Sequence, residues 1–385
     1  MFDRLVNPLK TKSFFLFGAR GVGKSTFIQG FTKNQRTLVF DLLDPEVEDR
    51  LLLAPESLRS EVLAALPQLD WVVIDEVQKC PKLLNVVHKL IVEQGVKFAL
   101  TGSSARRLKQ KGVNLLAGRA LTESLHPLTS LELKTAFSLS EVLEGGTLPE
   151  AVLANSEEER RAYLRSYALN YIKHEIQAEQ WVRNLEPFRR FLGIAAQMNG
   201  KVLNYSAIAR DVGVESNTVQ SYFENLEDTL VAFRLPGYNR SIRKQQRQSP
   251  KFYFFDLGVK RALDRTLEIP LKPGTAAYGE AFEHFIVLEI YRLSSYQKKD
   301  YELSYLLTKD GAEIDLILER PGKSVALIEI KSKNRVDEHD ARHLEHFRKD
   351  FTTPELFLLS NDPNNKRLGA VSALYWRDGL REIMT

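Results

Sequence analysis

The sequence predicts an α/β protein whose first third is a parallel sheet flanked by helices. One rhythm and two local patterns carry that expectation. Apolar runs of strand length alternate with helical patterns between residues 14 and 125, the order that builds strand–helix–strand units. The glycine-rich segment Gly18-Ala-Arg-Gly-Val-Gly-Lys24-Ser25 closes the run Phe14-Phe-Leu-Phe17 and opens the helical pattern of Thr26-Phe-Ile-Gln. A further run, Trp71-Val-Val-Ile, ends in the carboxylates Asp75 and Glu76.

Taken in order, the first candidate strands are Phe14–Phe17, Leu38–Asp41, Trp71–Asp75, Lys97–Leu100 and Ala120–Leu125. Residues 1–135 are therefore expected to form one core, with its ligand at the carboxyl ends of the strands. Residues 136–200 read as helical, with Ser156-Glu-Glu-Glu159 as a helix start and an amphipathic stretch running through Trp181. This segment serves either as a lid over the ligand or as a connecting bundle. Residues 201–270 carry a helix-turn-helix spacing in Ala209, Gly213 and Val219, with Ser216 placed to cap the second helix. Phe233 and Phe252–Phe255 then bound two strands of a wing. Residues 271–385 start afresh with a helix around Gly279–Ile290. Strands at Tyr301–Leu307, Glu313–Glu319 and Val325–Lys331 follow, then a helix over Asp337–Phe347 and a strand at Leu356–Leu359.

The order G-x-x-x-x-G-K-S between a strand and a helix is a phosphate-binding loop, in which glycines let successive N–H groups and a helix N-terminus face an anion. Gly18, Ala19, Arg20, Gly21, Val22, Gly23, Lys24, Ser25 and Thr26 are the candidate ATP contacts. Lys24 would reach the β and γ phosphates, and Ser25 with Asp75 would hold Mg²⁺. Glu76 is placed to orient or deprotonate the attacking water. The strand ending in Thr101-Gly-Ser103-Ser104 offers hydroxyls as a γ-phosphate sensor, Thr101 first. A nucleoside triphosphate and Mg²⁺ are what this pattern calls for.

Two further constellations bear on function. The stretch from Ala232 to Lys251 holds Arg234, Arg240, Arg243, Lys244, Arg247 and Lys251 with no Asp or Glu. Uncompensated cations of this kind suit DNA phosphates, with Arg240, Arg243, Lys244 and Arg247 as the candidate DNA contacts. Arg106, Arg107, Lys109 and Lys111 form a second basic segment. In the last region Asp315 lies on one strand while Glu329 and Lys331 share a face of the next. With Glu283 on the preceding helix they form a nuclease-like set, Asp315 and Glu329 being the candidate metal ligands.

Composition narrows the class. Apolar residues make up 43% and charged residues 27%, as in a globular protein rather than a disordered or fibrous one. No apolar run approaches the ~20 residues of a membrane span, and the first residues, Met1-Phe-Asp-Arg-Leu-Val-Asn, lack the apolar core of a secretory signal. The single cysteine, Cys80, excludes an internal disulfide or a cysteine zinc site, so a cytoplasmic protein with no membrane partner is expected. The net charge of +4 decides nothing about nucleic acid.

The chain as a whole resembles a prokaryotic family of AAA-type ATPases related to the archaeal ATPase clade. The resemblance rests on Gly18–Ser25, Ile-Asp75-Glu76-Val-Gln78, Leu-Thr101-Gly-Ser-Ser-Ala-Arg106 and Leu-Ala-Gly118-Arg119-Ala. It extends through Thr218-Val-Gln-Ser-Tyr-Phe, Leu226-Glu-Asp-Thr-Leu, Lys251-Phe-Tyr-Phe-Phe-Asp256 and Gly279-Glu-Ala-Phe-Glu283. It implies an α/β phosphate-loop ATPase core, a helical segment, a winged helix and a C-terminal restriction-endonuclease-like domain related to PD-(D/E)xK nucleases. Ile314 stands where the eponymous proline would be, while Asp315, Glu329 and Lys331 are present. Arg119, where the family keeps an arginine, becomes the candidate finger into a neighbouring subunit, with Arg106 as the alternative. The expected protein is a DNA-binding ATPase that remodels or translocates duplex or branched DNA as a homo-oligomer, a hexameric ring being one form. An ATP-gated, Mg²⁺-dependent nuclease and a nucleotide-switched scaffold are the alternatives.

Overall fold

Apolar runs only five residues long bury both faces when helices cover each side of a parallel sheet, and that is how the first part of the chain is built. The computed structural model describes residues 2–103, 116, 118–171, 185–238 and 249–385. Strands β1 (Ser13–Phe17), β2 (Thr37–Asp41), β3 (Trp71–Asp75), β4 (Phe98–Gly102) and β5 (Ala120–Ser124) form one sheet in the order β2-β3-β4-β1-β5. All its pairings are parallel. The three central strands β3, β4 and β1 are buried at every position. Phe15, Phe17, Val72, Ile74, Phe98 and Leu100 share one apolar core with Leu83, Val87 and Leu90 of the helix Leu83–Gln94. Each such side chain contributes about 1.5–3 kcal/mol when fully buried. The order places β1 and β3 on either side of β4, so the loop after β1 and the carboxylates after β3 share one sheet edge.

The chain divides into two compact units, one of residues 1–128 with 228–230 and the other of residues 129–227 with 231–385. In the second, helices precede a second sheet. Ser156 caps the helix Glu157–Ser166 by accepting from Glu159 N. The helices Tyr205–Val212 and Ser216–Asp228 meet at Gly213 and lead into the antiparallel pair β6 (Ala232–Leu235) and β7 (Lys251–Phe254). Aromatic edges join these pieces. Phe191 meets Phe223 at 4.8 Å between ring centres, and Phe223 meets Phe252 at 4.7 Å.

The second sheet runs in the order β12-β13-β11-β10-β9-β8. Its strands are β8 (Glu302–Leu307), β9 (Glu313–Glu319), β10 (Ala326–Lys331), β11 (Glu355–Ser360), β12 (Lys366–Leu368) and β13 (Val371–Tyr375). β10, β11 and β13 are parallel neighbours, whereas β8, β9 and β12 run antiparallel to theirs. The helix Ala276–Tyr296 packs on β10, and Arg292 near its C-terminal end donates to Thr147 Oγ1 at 2.9 Å and Phe255 O at 2.6 Å. The pair β12–β13 and the closing helix Trp376–Met384 add to the elements expected from the sequence.

Candidate active site

The turn after β1 is shaped by its glycines. Gly21 and Gly23 hold φ of +79° and +92°, values that a side chain at either position would strain. A Cβ on Gly18 would lie 2.4 Å from Leu125 O and 2.9 Å from Val22 Cγ2, so only glycine lets β1 pass this close to the segment after β5. Arg4 braces the loop by donating to Val22 O at 2.8 Å. The helix Lys24–Phe31 then starts with Lys24 and has no side-chain cap, leaving its first N–H groups without an intrahelical acceptor.

Lys24 is 6% exposed and folds back over the loop, donating to Gly18 O at 2.9 Å and Ala19 O at 3.3 Å. Its ammonium also lies 3.6 Å from Glu76 Oε1. Ser25 Oγ donates to Asp75 Oδ2 at 2.6 Å, and Thr101 Oγ1 donates to the other oxygen, Asp75 Oδ1. Thr101, fully buried, also accepts from Glu76 N at 3.0 Å. β4 runs to Gly102, two residues beyond the expected end, and this places Thr101 on the strand facing Asp75. Glu76 itself sits in the left-handed region at φ +56°, a conformation that costs a non-glycine residue about 1–2 kcal/mol. The turn aims its carboxylate back toward Lys24 rather than onward from the strand.

Gln78 has no role assignable from its sequence position alone. It is 4% exposed, and its amide donates to Glu76 Oε2 and, at 3.0 Å, to Ser103 Oγ. The amide fixes the carboxylate from the side opposite Lys24. The only signal in the sequence is its spacing of two from Glu76. Ser103 therefore serves the site through Gln78, and of the two hydroxyls at the end of β4 it is Thr101 that touches Asp75.

Comparison with known proteins fits this geometry. Residues 10–134 match a family model described as an AAA domain. The chain carries an AAA domain. Residues 136–269 and 278–378 match two further models, each described as a domain of unknown function, DUF8612 and DUF4143. The chain is 29% identical over 316 residues to an uncharacterized protein of Mycobacterium tuberculosis, a stretch that covers 80% of this chain and 68% of that protein. With an uncharacterized protein of Haemophilus influenzae it shares 20% identity over 312 residues, 77% of this chain and 74% of that one. Domain III of the Thermotoga maritima replication initiation protein DnaA is similar at 14% identity, covering 57% of this chain and 84% of that domain with a TM-score of 0.19. Within the AAA domain, Arg119 is exposed and follows Gly118. Arg106, Arg107, Lys109 and Lys111 lie outside the described residues, as do Arg240, Arg243, Lys244 and Arg247.

The basic stretch from Ala232 to Lys251 needs correction at both ends. Arg234 is not a free cation: its Nη2 lies 2.5 Å from Glu227 Oε2, its backbone N–H donates to Glu227 Oε1 at 2.8 Å, and its Nη1 donates to Tyr205 Oη at 3.2 Å. Lys251 is 3% exposed, with its ammonium 2.5 Å from Glu313 Oε1 and 3.4 Å from Glu283 Oε1. Both cations are compensated by carboxylates outside the stretch itself.

Glu283, Asp315, Glu329 and Lys331 meet in one cluster around that lysine. Tyr253 Oη donates to Glu283 Oε1 at 2.8 Å, Asp315 Oδ2 accepts from Ile330 N at 2.8 Å, and Lys331 Nζ lies 2.5 Å from Glu329 Oε1. Burial, reinforced by Glu329 and Glu283, pushes the Asp315 carboxyl well above the usual range. Burial likewise raises Glu329 against the pull of Lys331. Burial works against the charge on Lys251, but Glu283, Asp315 and Glu313 outweigh it and hold the ammonium above the ordinary lysine range. No helix among the described residues is long and apolar enough to cross a membrane.

Proposed function

We propose that this chain binds ATP with Mg²⁺ at Gly18–Thr26, hydrolyses it, and couples the hydrolysis to duplex DNA. The observation that carries the first part is the chain of contacts Ser25–Asp75–Thr101–Glu76 beneath the loop. The donor set fits a magnesium nucleotide: a hydroxyl and a carboxylate for a hard cation, and an ammonium with loop N–H groups for phosphates. Bound Mg²⁺ would neutralise phosphate charge and polarise the terminal phosphoryl group. Lys24 holds phosphate oxygens once it leaves the carbonyls of Gly18 and Ala19. Ser25 and Asp75 hold the metal, and Thr101 keeps Asp75 turned toward Ser25. Glu76 orients a water and takes its proton on the carboxylate that Gln78 fixes. Arg119 is the residue assigned to reach a neighbouring copy of the chain.

The DNA coupling rests on two features. Asn217, Gln220 and Ser221 are exposed on the second helix of the pair joined at Gly213, and amide side chains at such positions read base edges. Four cations, Arg240, Arg243, Lys244 and Arg247, lie between β6 and β7 in the sequence. With Arg234 and Lys251 engaged elsewhere, these four set the phosphate footprint. The slope of log affinity against log salt is then about −3.6, at about −0.9 per phosphate. The test is ATP turnover with and without duplex and branched DNA across a salt series. Stimulation that fades with salt at that slope supports the reading. Turnover indifferent to every DNA, without salt-dependent binding, overturns the coupling and favours a nucleotide-switched scaffold.

A further inference from the structure

The acidic cluster of the second sheet already contains its cation. Lys251 projects from β7 into the space bounded by Glu283 on the helix Ala276–Tyr296 and by Glu313 and Asp315 on β9. The lysine is not a loose surface side chain. Its backbone is paired with Leu235 in the β6–β7 ladder and bridges to Val202, and its ammonium lies 5.5 Å from the centre of the Tyr305 ring. An ion this buried costs several kcal/mol unless it is paired, and Lys251 has carboxylate oxygens at 2.5 and 3.4 Å.

A magnesium ion would need something else. It demands oxygens in near-octahedral order at about 2.0–2.1 Å, so its carboxylates must close on one point. Among the described residues, the trio of metal-ligating side chains whose ligand atoms all lie within 4.8 Å of one another is Asp337, His339 and Asp340. That trio is accounted for as a helix cap, with Asp337 accepting from His339 N at 2.9 Å and Asp340 bound to Lys333 at 2.6 Å. Glu283, Asp315 and Glu329 do not close to that distance. Two ammoniums hold their places, Lys251 against Glu283 and Glu313 and Lys331 against Glu329. Glu329 keeps one buried oxygen, Oε2, without a hydrogen-bond partner. The donor set is that of a metal site, but the spacing is that of an ion-pair cluster.

We infer that Lys251 is the resident cation of this cluster, and that the cluster takes a divalent ion only once that ammonium is removed. The β6–β7 hairpin is then fastened to the second sheet by the charges that a metal-dependent nuclease would use for its ion. The inference stands apart from the nucleotide site, and either can fail without the other.

The test is a Mn²⁺ titration of the nucleotide-free full chain, counting bound ion by electron paramagnetic resonance, for wild type, Asp315→Asn, Lys251→Met and Lys251→Met/Glu329→Gln. Wild type and Asp315→Asn are expected to bind alike. Lys251→Met gains one equivalent held at least tenfold more tightly than any ion at this cluster in wild type, and the double variant loses it. Two results overturn the inference: an equivalent in wild type that Asp315→Asn abolishes, or a folded Lys251→Met that gains none. Should Lys251→Met fail to fold, the comparison of wild type with Asp315→Asn decides, equal binding supporting the inference and unequal binding refuting it.

Discussion

Replacing Thr101 with valine removes one hydroxyl from the centre of the proposed nucleotide site while nearly preserving its shape. Two hydrogen bonds go with it. The bond donated to Asp75 Oδ1 has a charged acceptor and is worth about 1.5–3 kcal/mol. The bond accepted from Glu76 N at 3.0 Å leaves that N–H unpaired at a fully buried threonine, a further cost of about 1–3 kcal/mol. Because the two share one atom they are not additive, and about 3 kcal/mol is the expected loss of stability. With a urea dependence of about 2 kcal/mol per molar, the unfolding midpoint of the AAA domain should fall by about 1.5 M. Glu76 sits at φ +56° partly because its N–H is held by Thr101. Without that anchor the carboxylate shifts, and a displacement of about 1 Å costs about 10²-fold in turnover. The assay is urea unfolding paired with steady-state ATP hydrolysis, with Thr101→Ser as the restoring control. An unchanged midpoint and unchanged kcat for Thr101→Val would show that the hydroxyl supports neither carboxylate. A raised KM at constant kcat would show that it serves binding instead.

Other substitutions probe different parts of the account. Glu76→Gln should keep nucleotide affinity within a few-fold and lower kcat by about 10²–10⁴-fold, read by equilibrium binding beside turnover; undiminished turnover assigns the water to another residue. His284 is buried with Nε2 2.6 Å from Phe254 O, and burial pushes its pKa down to about 3. Between pH 6.5 and about 3 the unfolded chain binds a proton there that the folded chain refuses, so stability falls as pH falls, by about 1.4 kcal/mol per unit. His284→Gln, which keeps an N–H donor, should therefore lose less stability than wild type between pH 6.5 and 4.5, by about 2–3 kcal/mol. Parallel stability–pH curves for the two proteins would refute that assignment.

The geometry of the proposed nucleotide site was legible in the sequence because its parts are local. Gly18–Ser25 are contiguous, and Asp75 and Glu76 end a run of four apolar residues. The parallel sheet follows from strands of five residues buried on both faces. Long-range compensation was not legible. The partner of Arg234 is Glu227, just before the stretch that looked uncompensated, and the partners of Lys251 are Glu283 and Glu313, more than thirty residues away. Sequence shows a charge run but not which carboxylates fold against it. The orienting role of Gln78 was hidden for a similar reason: its other partner, Ser103, follows β4 and is 25 residues away. β12 went unseen because Lys366-Arg-Leu368 is short and polar, without the alternation that marks a strand. The helix Trp376–Met384 buries Trp376, Leu380, Ile383 and Met384 on one stripe, but it spans only nine residues, too few for the period to stand out.

Calorimetric titration with ATP and Mg²⁺, comparing wild type with Lys24→Ala, bears most directly on the nucleotide site. A single exothermic event is expected in wild type, weakened about 10- to 100-fold by the loss of one charged phosphate contact. Absence of heat in wild type, or identical isotherms for the two proteins, would contradict it.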